Sequence, residues 1–124
     1  MAHDGQDLSL GSVILPDLLT LTGESIAPIE GILETARTHV QGMVMADGRV
    51  SGALVEQNQF AAHGLAWLAT YVESLRQMQA WATRLEAEGT FGEVEQLIHQ
   101  IAFGEYLSQI HGGIQMNQGE IVRL

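Results

Sequence analysis

The chain has 124 residues, 46% of them hydrophobic, no cysteine, and a formal net charge of −10 with five arginines and no lysine. The missing thiols exclude disulfides, cysteine-ligated zinc and thiol catalysis, and so acidic a surface repels phosphate backbones and anionic membranes. No apolar run approaches the ~20 residues of a membrane span, and Asp4 and Asp7 stand where a secretory leader carries positive charge. The expectation is one soluble, cytoplasmic domain with no nucleic-acid and no membrane partner.

Residues 1–12 are small and polar and are expected to form a flexible tail. Ser12 is a candidate cap for a short helix over 13–22, with Pro16 and Asp17 near its first turn; Gly23 interrupts. A second helix is predicted over 25–46, with Ser25 as N-cap and Pro28 in the first turn, where no intrahelical N–H is needed. Its apolar positions Ile26, Ile29, Ile32, Leu33, Ala36, Val40, Met43 and Val44 fit a 3.6-residue period. Glu34 and Arg37 form an i,i+3 pair. Asp47-Gly48 reads as a stop.

Ser51 then caps a long central helix over 51–88, which at ~1.5 Å per residue would reach roughly 55 Å. Two apolar stripes run along it at helical spacing. One is Leu54, Ala61, Leu65, Leu68, Val72, Leu75 and Ala82. The other is Phe60, Trp67, Tyr71, Met78, Trp81 and Leu85. The rest of the chain is too short to cover both equally, so part of the second stripe is expected to face another copy or further polypeptide. Gly64, inside the helix, predicts close approach of a neighbouring helix at a cost of about 1 kcal/mol relative to alanine. Gly89 ends the helix.

Thr90 to Glu93 has the form of a capping box and opens a last helix over 91–111. Its expected apolar face is Phe91, Val94, Leu97, Ile98, Ile101, Ala102, Leu107 and Ile110. Gly112-Gly113 closes it, and the remainder reads as irregular. No strand pattern is evident. The predicted fold class is all-α, an antiparallel four-helix bundle in a single domain over 13–124.

Signals for chemistry are sparse. A di-metal bundle needs paired Glu-x-x-His motifs, and none occurs. Glu95–His99 and Glu105–His111 have other spacings, and no metal site is predicted. His39, His63 and His99 are read as solvated or interface histidines, and His111 stands out only for its glycine neighbours. There is no nucleophile elbow and no phosphate loop. The side chains best suited to an interface are Trp67, Tyr71, Trp81 and Tyr106, with Arg76 and Arg84 as ion-pair candidates, because aromatics and arginines dominate interface energetics.

The stretch from Phe103 to Leu124, FGEYLSQIHGGIQMNQGEIVRL, resembles the late segment of the acyl-CoA dehydrogenase family. There a bundle helix runs into a glycine turn, then an acidic residue and a Val-x-Arg-Leu-like end. The matching pieces are Gln109 to Gly113, Glu120, and Val122-Arg123-Leu124. The preceding helix, HGLAWLATYVESLRQMQAWATRLEAEG, fits the bundle helix before it. The resemblance covers about residues 15–124 and is closest to an extra helical domain that some members carry ahead of their dehydrogenase core. It implies an FAD-dependent parent enzyme that passes electrons to an electron-transfer flavoprotein. The implied partners of this chain are the remainder of that dehydrogenase and a homo-oligomer. The family's β-domain is missing and its catalytic carboxylate is expected downstream of Leu124, so no catalytic residue is assigned and Glu120 is not read as the base. Gln115 replaces a further glycine of the turn, which leaves His111, Gly112 and Gly113 as weak cofactor contacts and predicts no cofactor in this chain. The expected role is accessory: packing and oligomer stabilisation. The alternatives are a stand-alone homodimerising module and a metal- or small-molecule-binding bundle.

Overall fold

The structure, a computed structural model, describes residues 13–117 and 119–123. The expected tail over 1–12 and the cap at Ser12 lie outside the described residues. In chain order the elements are α1 (Leu18–Val44), β1 (Met45–Ala46), β2 (Arg49–Val50), α2 (Gly52–Gln57), α3 (Gln59–Glu88), α4 (Glu93–Gly112), β3 (Ile114–Asn117) and β4 (Glu120–Val122). The fold is mostly helical, but it is three long helices with two small hairpins and one short helix, and a four-helix bundle is not what forms. α3 packs between α1 and α4. Thr22 meets Gln79 and Glu30 meets Arg76, so α1 and α3 run antiparallel. Trp81 meets Phe91 and Tyr71 meets Tyr106, so α3 and α4 do too.

The two helices expected before residue 47 are one. Gly23 does not interrupt α1; it lies against Gln79 of α3, where a Cβ would approach Nε2 to 3.1 Å. Ser25 is not a cap, since its hydroxyl donates back to the Thr22 carbonyl at 2.6 Å. Pro28 therefore sits inside the helix. Packing along α3 outweighs one lost hydrogen bond.

Asp47-Gly48 does more than stop α1. Both residues have positive φ, 53° and 73°, as a two-residue type I′ turn requires. They join β1 to β2 with Met45 opposite Val50 and Ala46 opposite Arg49. Ser51 caps as expected, its Oγ accepting from Leu54 N at 3.3 Å. The predicted long helix breaks at Asn58, however, whose φ and ψ are −119° and 34°. The Asn58 amide donates to the Leu54 carbonyl at 2.8 Å, a local bond that competes with helix continuation. α2 buries no residue, so nothing holds the two segments in phase.

Gly89 ends α3 with φ 72°. Thr90 N donates to the Leu85 carbonyl and Gly89 N to that of Glu86, the bond pair of a Schellman motif. The expected capping box does not form. Thr90 faces back to α3, and α4 starts after Gly92 with no side-chain cap. The C-terminal residues are not irregular: β3 and β4 pair antiparallel, Ile114 opposite Val122 and Gln115 opposite Ile121, with an irregularity between Gln115 and Asn117. Ile114 and Val122 point inward and Gln115 and Ile121 outward, the two-residue alternation of a half-buried ribbon.

The main core is Ile29, Leu68, Tyr71, Val72, Leu75, Phe103, Ile110, Ile114 and Val122. A smaller one joins Leu18, Ala82 and Phe91. Gly64 does mark a close approach, but by the β4 hairpin and not by a helix: a Cβ there would stand 2.6 Å from Val122 Cγ2.

Candidate functional site: an aromatic stripe and an apolar groove

The two stripes of α3 are covered unequally. Leu68, Val72, Leu75 and Ala82 of the first are fully buried. Of the second only Tyr71 is buried; Trp67, Met78, Trp81 and Leu85 are half-buried and Phe60 is 54% exposed. Trp67, Tyr71 and Tyr106 come together. The Trp67 indole lies edge-on to Tyr71, and Tyr71 stacks on Tyr106 with centroids 4.3 Å apart. Trp67 Nε1 donates to His63 Nε2 at 2.9 Å, and His63 Nδ1 lies 3.6 Å from Glu120 on β4. Tyr71 donates its hydroxyl to Gln109 Oε1 at 2.6 Å, and Gln109 donates to Glu105. Burial, then the neighbouring Tyr106 and Glu105, push the Tyr71 phenol pKa up.

Trp81 stands apart from this cluster. With Met78, Arg84 and Tyr106 it lines a shallow crevice of about 510 Å³ between α3 and α4. Arg84 is exposed and has no ion pair among the described residues. Arg76 is committed within the chain: it donates to Glu30 of α1 at 2.6 Å and to Glu73 at 2.7 Å, pinning α1 to α3.

α4 turns only part of its predicted face inward: Phe91 just before it and Ile110 are buried and Leu97, Ala102 and Leu107 half-buried, but the rest is not. Val94, Ile98 and Ile101 are 60%, 50% and 67% exposed, while His99, Phe103 and Ile110 are buried. His99 is thus not a solvated or interface histidine. Its Nε2 lies 2.9 Å from Thr22 Oγ1, and its ring packs against Phe91 and Phe103. Gln79 spends its amide N–H on the Leu19 carbonyl and turns Oε1 to Thr22 at 2.6 Å. The Thr22 hydroxyl then donates to Gln79, so His99 Nε2 must carry the proton that Thr22 accepts. His99 Nδ1 is buried with no hydrogen-bond partner, and burial holds its pKa below the ordinary value near 6.5. Gln100, next on the helix, accepts from Leu15 N and donates to the Val13 carbonyl, holding the segment before α1. Neither glutamine carries a sequence signal that singles it out.

A broader concavity is an apolar groove of about 1360 Å³ between α1 and the N-terminal half of α3, closed at one end by α4 and β4. His111 is on its rim. Gly112 is the last residue of α4, and Gly113, with φ 131°, turns the chain into β3. A Cβ on Gly113 would reach 2.8 Å from Ile121 Cγ2, so the space beside it is filled by this chain's own hairpin. The pair sits at a helix C-terminus, whose partial negative charge opposes phosphate. These residues do not fit the phosphates of a flavin nucleotide. Among the described residues no three His, Asp or Glu side chains converge on a metal position, and no helix is long and apolar enough to cross a membrane.

No family model matches the chain. In sequence it is nevertheless similar, over nearly its whole length, to a segment of a much longer dehydrogenase. The relative that shows this is the (2S)-methylsuccinyl-CoA dehydrogenase of Cereibacter sphaeroides, 59% identical over 114 residues. Those residues are 92% of this chain and 21% of that enzyme, so the chain spans about a fifth of the length of the relative it matches.

Proposed function

We propose that this chain is an accessory helical domain of a flavin-dependent acyl-CoA dehydrogenase acting on methylsuccinyl-CoA. The observation that carries this reading is the 59% identity to a dehydrogenase of that name, confined to a fifth of its length. The reaction takes a proton from the carbon next to the thioester and a hydride from the following carbon, giving mesaconyl-CoA, with the electrons leaving through an electron-transfer flavoprotein. We assign none of those steps to this chain. Its glycine pair does not fit flavin phosphates, and His99 is sealed inside the core. Its role is to pack against the remainder of the enzyme and stabilise the oligomer through the half-covered aromatic stripe, with Trp67, Trp81, Tyr106 and Arg84 as the contributors. Tyr71 and Arg76 act from behind, one buried under the stripe and the other bracing α3 against α1.

The test is a graft. This chain replaces the matched stretch in the Cereibacter enzyme, and oxidation of methylsuccinyl-CoA is measured with an artificial electron acceptor. Turnover and oligomeric state close to those of the parent are expected. A soluble, correctly folded graft that keeps the rest of the enzyme intact but has no activity and no oligomer would contradict the reading.

A further inference from the structure

The groove between α1 and α3 has the build of a helix seat. Its walls are two antiparallel helices, and its floor is closed by Leu68 and Val122, both buried. Ile32, Val40 and Met43 line it from α1, and Phe60, Ala61 and Leu65 from α3. Phe60 is more than half exposed and Ile32 is exposed as well, so side chains suited to a core meet solvent here. The volume exceeds the ~300–1,000 Å³ of small-molecule pockets and the shape is an open trough, as an amphipathic helix laid in by its apolar face requires.

Two observations choose the occupant. First, the related dehydrogenase has roughly four-fifths of its length outside the matched stretch, which is ample polypeptide to supply a helix. Second, charge disfavours a second copy, which would bring another net −10 to a groove whose only carboxylate, Glu34, is already held by Arg37. The rim carries His39, His111 and Arg123, and Arg123 has no ion pair among the described residues. That edge suits a carboxylate.

Resting on the accessory-domain reading above, we propose that this groove seats an amphipathic helix from the remainder of the dehydrogenase polypeptide, with its apolar face on Phe60 and Leu65 and a carboxylate toward Arg123. The grafted enzyme tests it by photo-crosslinking from p-benzoylphenylalanine placed at position 60, in the groove, or at position 98, on the outer face of α4. The probe at 60 is expected to attach to one helix of the remainder, within one polypeptide or between two. Ala61→Arg, at a half-exposed position, should lower that yield several-fold while leaving the helical circular dichroism of the graft unchanged. Attachment from 60 to the matched stretch of another copy would overturn the proposal in favour of self-association. Silence at 60 with attachment from 98 to the remainder would overturn the groove but spare the accessory-domain reading. Silence at both positions would also overturn the groove, while the accessory-domain reading stands or falls on the activity and oligomeric state of the graft. A yield at 60 that ignores Ala61→Arg would also sink the proposal.

Discussion

At the scale of single residues, His99 carries the sharpest consequence. In the folded chain it is neutral, with its proton on Nε2 and a bare Nδ1 facing apolar neighbours. Protonation would leave a buried charged N–H without a partner. Its folded pKa is depressed by burial, so below about pH 6.5 the unfolded chain binds the proton more readily. The His99 contribution to stability is therefore fully present above that pH and is lost as pH falls toward the folded pKa. Urea midpoints at pH 8 and pH 5.5 should show this loss, and His99→Leu should flatten the difference while costing about 1 kcal/mol at pH 8 for the hydrogen bond lost to Thr22, whose hydroxyl keeps Gln79. An unchanged slope in the variant would assign the acid sensitivity to other groups. Gly64 makes a second local prediction. Alanine is the better helix former by about 1 kcal/mol, yet its Cβ would strike Val122 at 2.6 Å. Gly64→Ala should destabilise by about 1–3 kcal/mol, and the double variant with Val122→Ala should recover much of it; additive losses would mean that the two residues are not coupled.

At the scale of elements, α1 shows how packing overrides local preference. Pro28 removes one hydrogen bond from its interior and clashes with the preceding turn. Because Pro28 is itself exposed, Pro28→Ala should release that cost without opening a cavity and stabilise the chain by up to about 3 kcal/mol. Chemical denaturation measures it directly; a loss of stability would show that a bend at Pro28 is needed to keep α1 on α3. α4 makes the converse point. Val94, Ile98 and Ile101 invite the inward side along with Leu97 and Ile110, but the helix exposes those three and buries His99 and Phe103 beside Ile110. With apolar residues on more than one side, periodicity alone does not choose the phase of α4. Thr22 and Gln79 on the neighbouring helices do, by giving His99 a polar partner inside.

At the scale of the whole molecule, three long helices and a C-terminal ribbon enclose one main core and leave apolar surface open among the described residues at the groove, the aromatic stripe of α3 and the outer row of α4. Each is modest beside the roughly 800 Å² per partner of a stable interface, and a larger polypeptide that covers several at once meets that need better than a single contact. The misfit between Gly112-Gly113 and flavin phosphates gives a direct check. Titration of the purified chain with FAD, followed by flavin fluorescence, should show no stoichiometric complex at micromolar concentrations. Tight one-to-one binding would contradict the assignment of the flavin site to the remainder of the enzyme.

Much of this architecture was legible from sequence because it depends on a few neighbouring residues. Ser51 as a cap, Gly89 as a stop and Gly112-Gly113 as the end of α4 are local chemistry; the two stripes of α3 follow from its spacing, and their unequal covering from how little chain remains to cover them. A resemblance to acyl-CoA dehydrogenases was read from the residues around Gly113 and Val122, and the chain is 59% identical over 114 residues to a protein named (2S)-methylsuccinyl-CoA dehydrogenase. The Asp47-Gly48 hairpin was equally local, since Asp-Gly favours two consecutive positive φ values, and reading it only as a helix stop missed it. What tertiary structure alone decided is of another kind: the continuity of α1 through Gly23 and Pro28, the face α4 buries, the partner of Arg76, and the pairing of β3 with β4. Each of these depends on free energy shared between residues far apart in the chain. Gln79 meets Gly23 and Thr22, Glu30 meets Arg76, and Val122 fills the notch at Gly64. No window of neighbouring residues contains both halves of such a contact, and that is why the fold itself had to decide them.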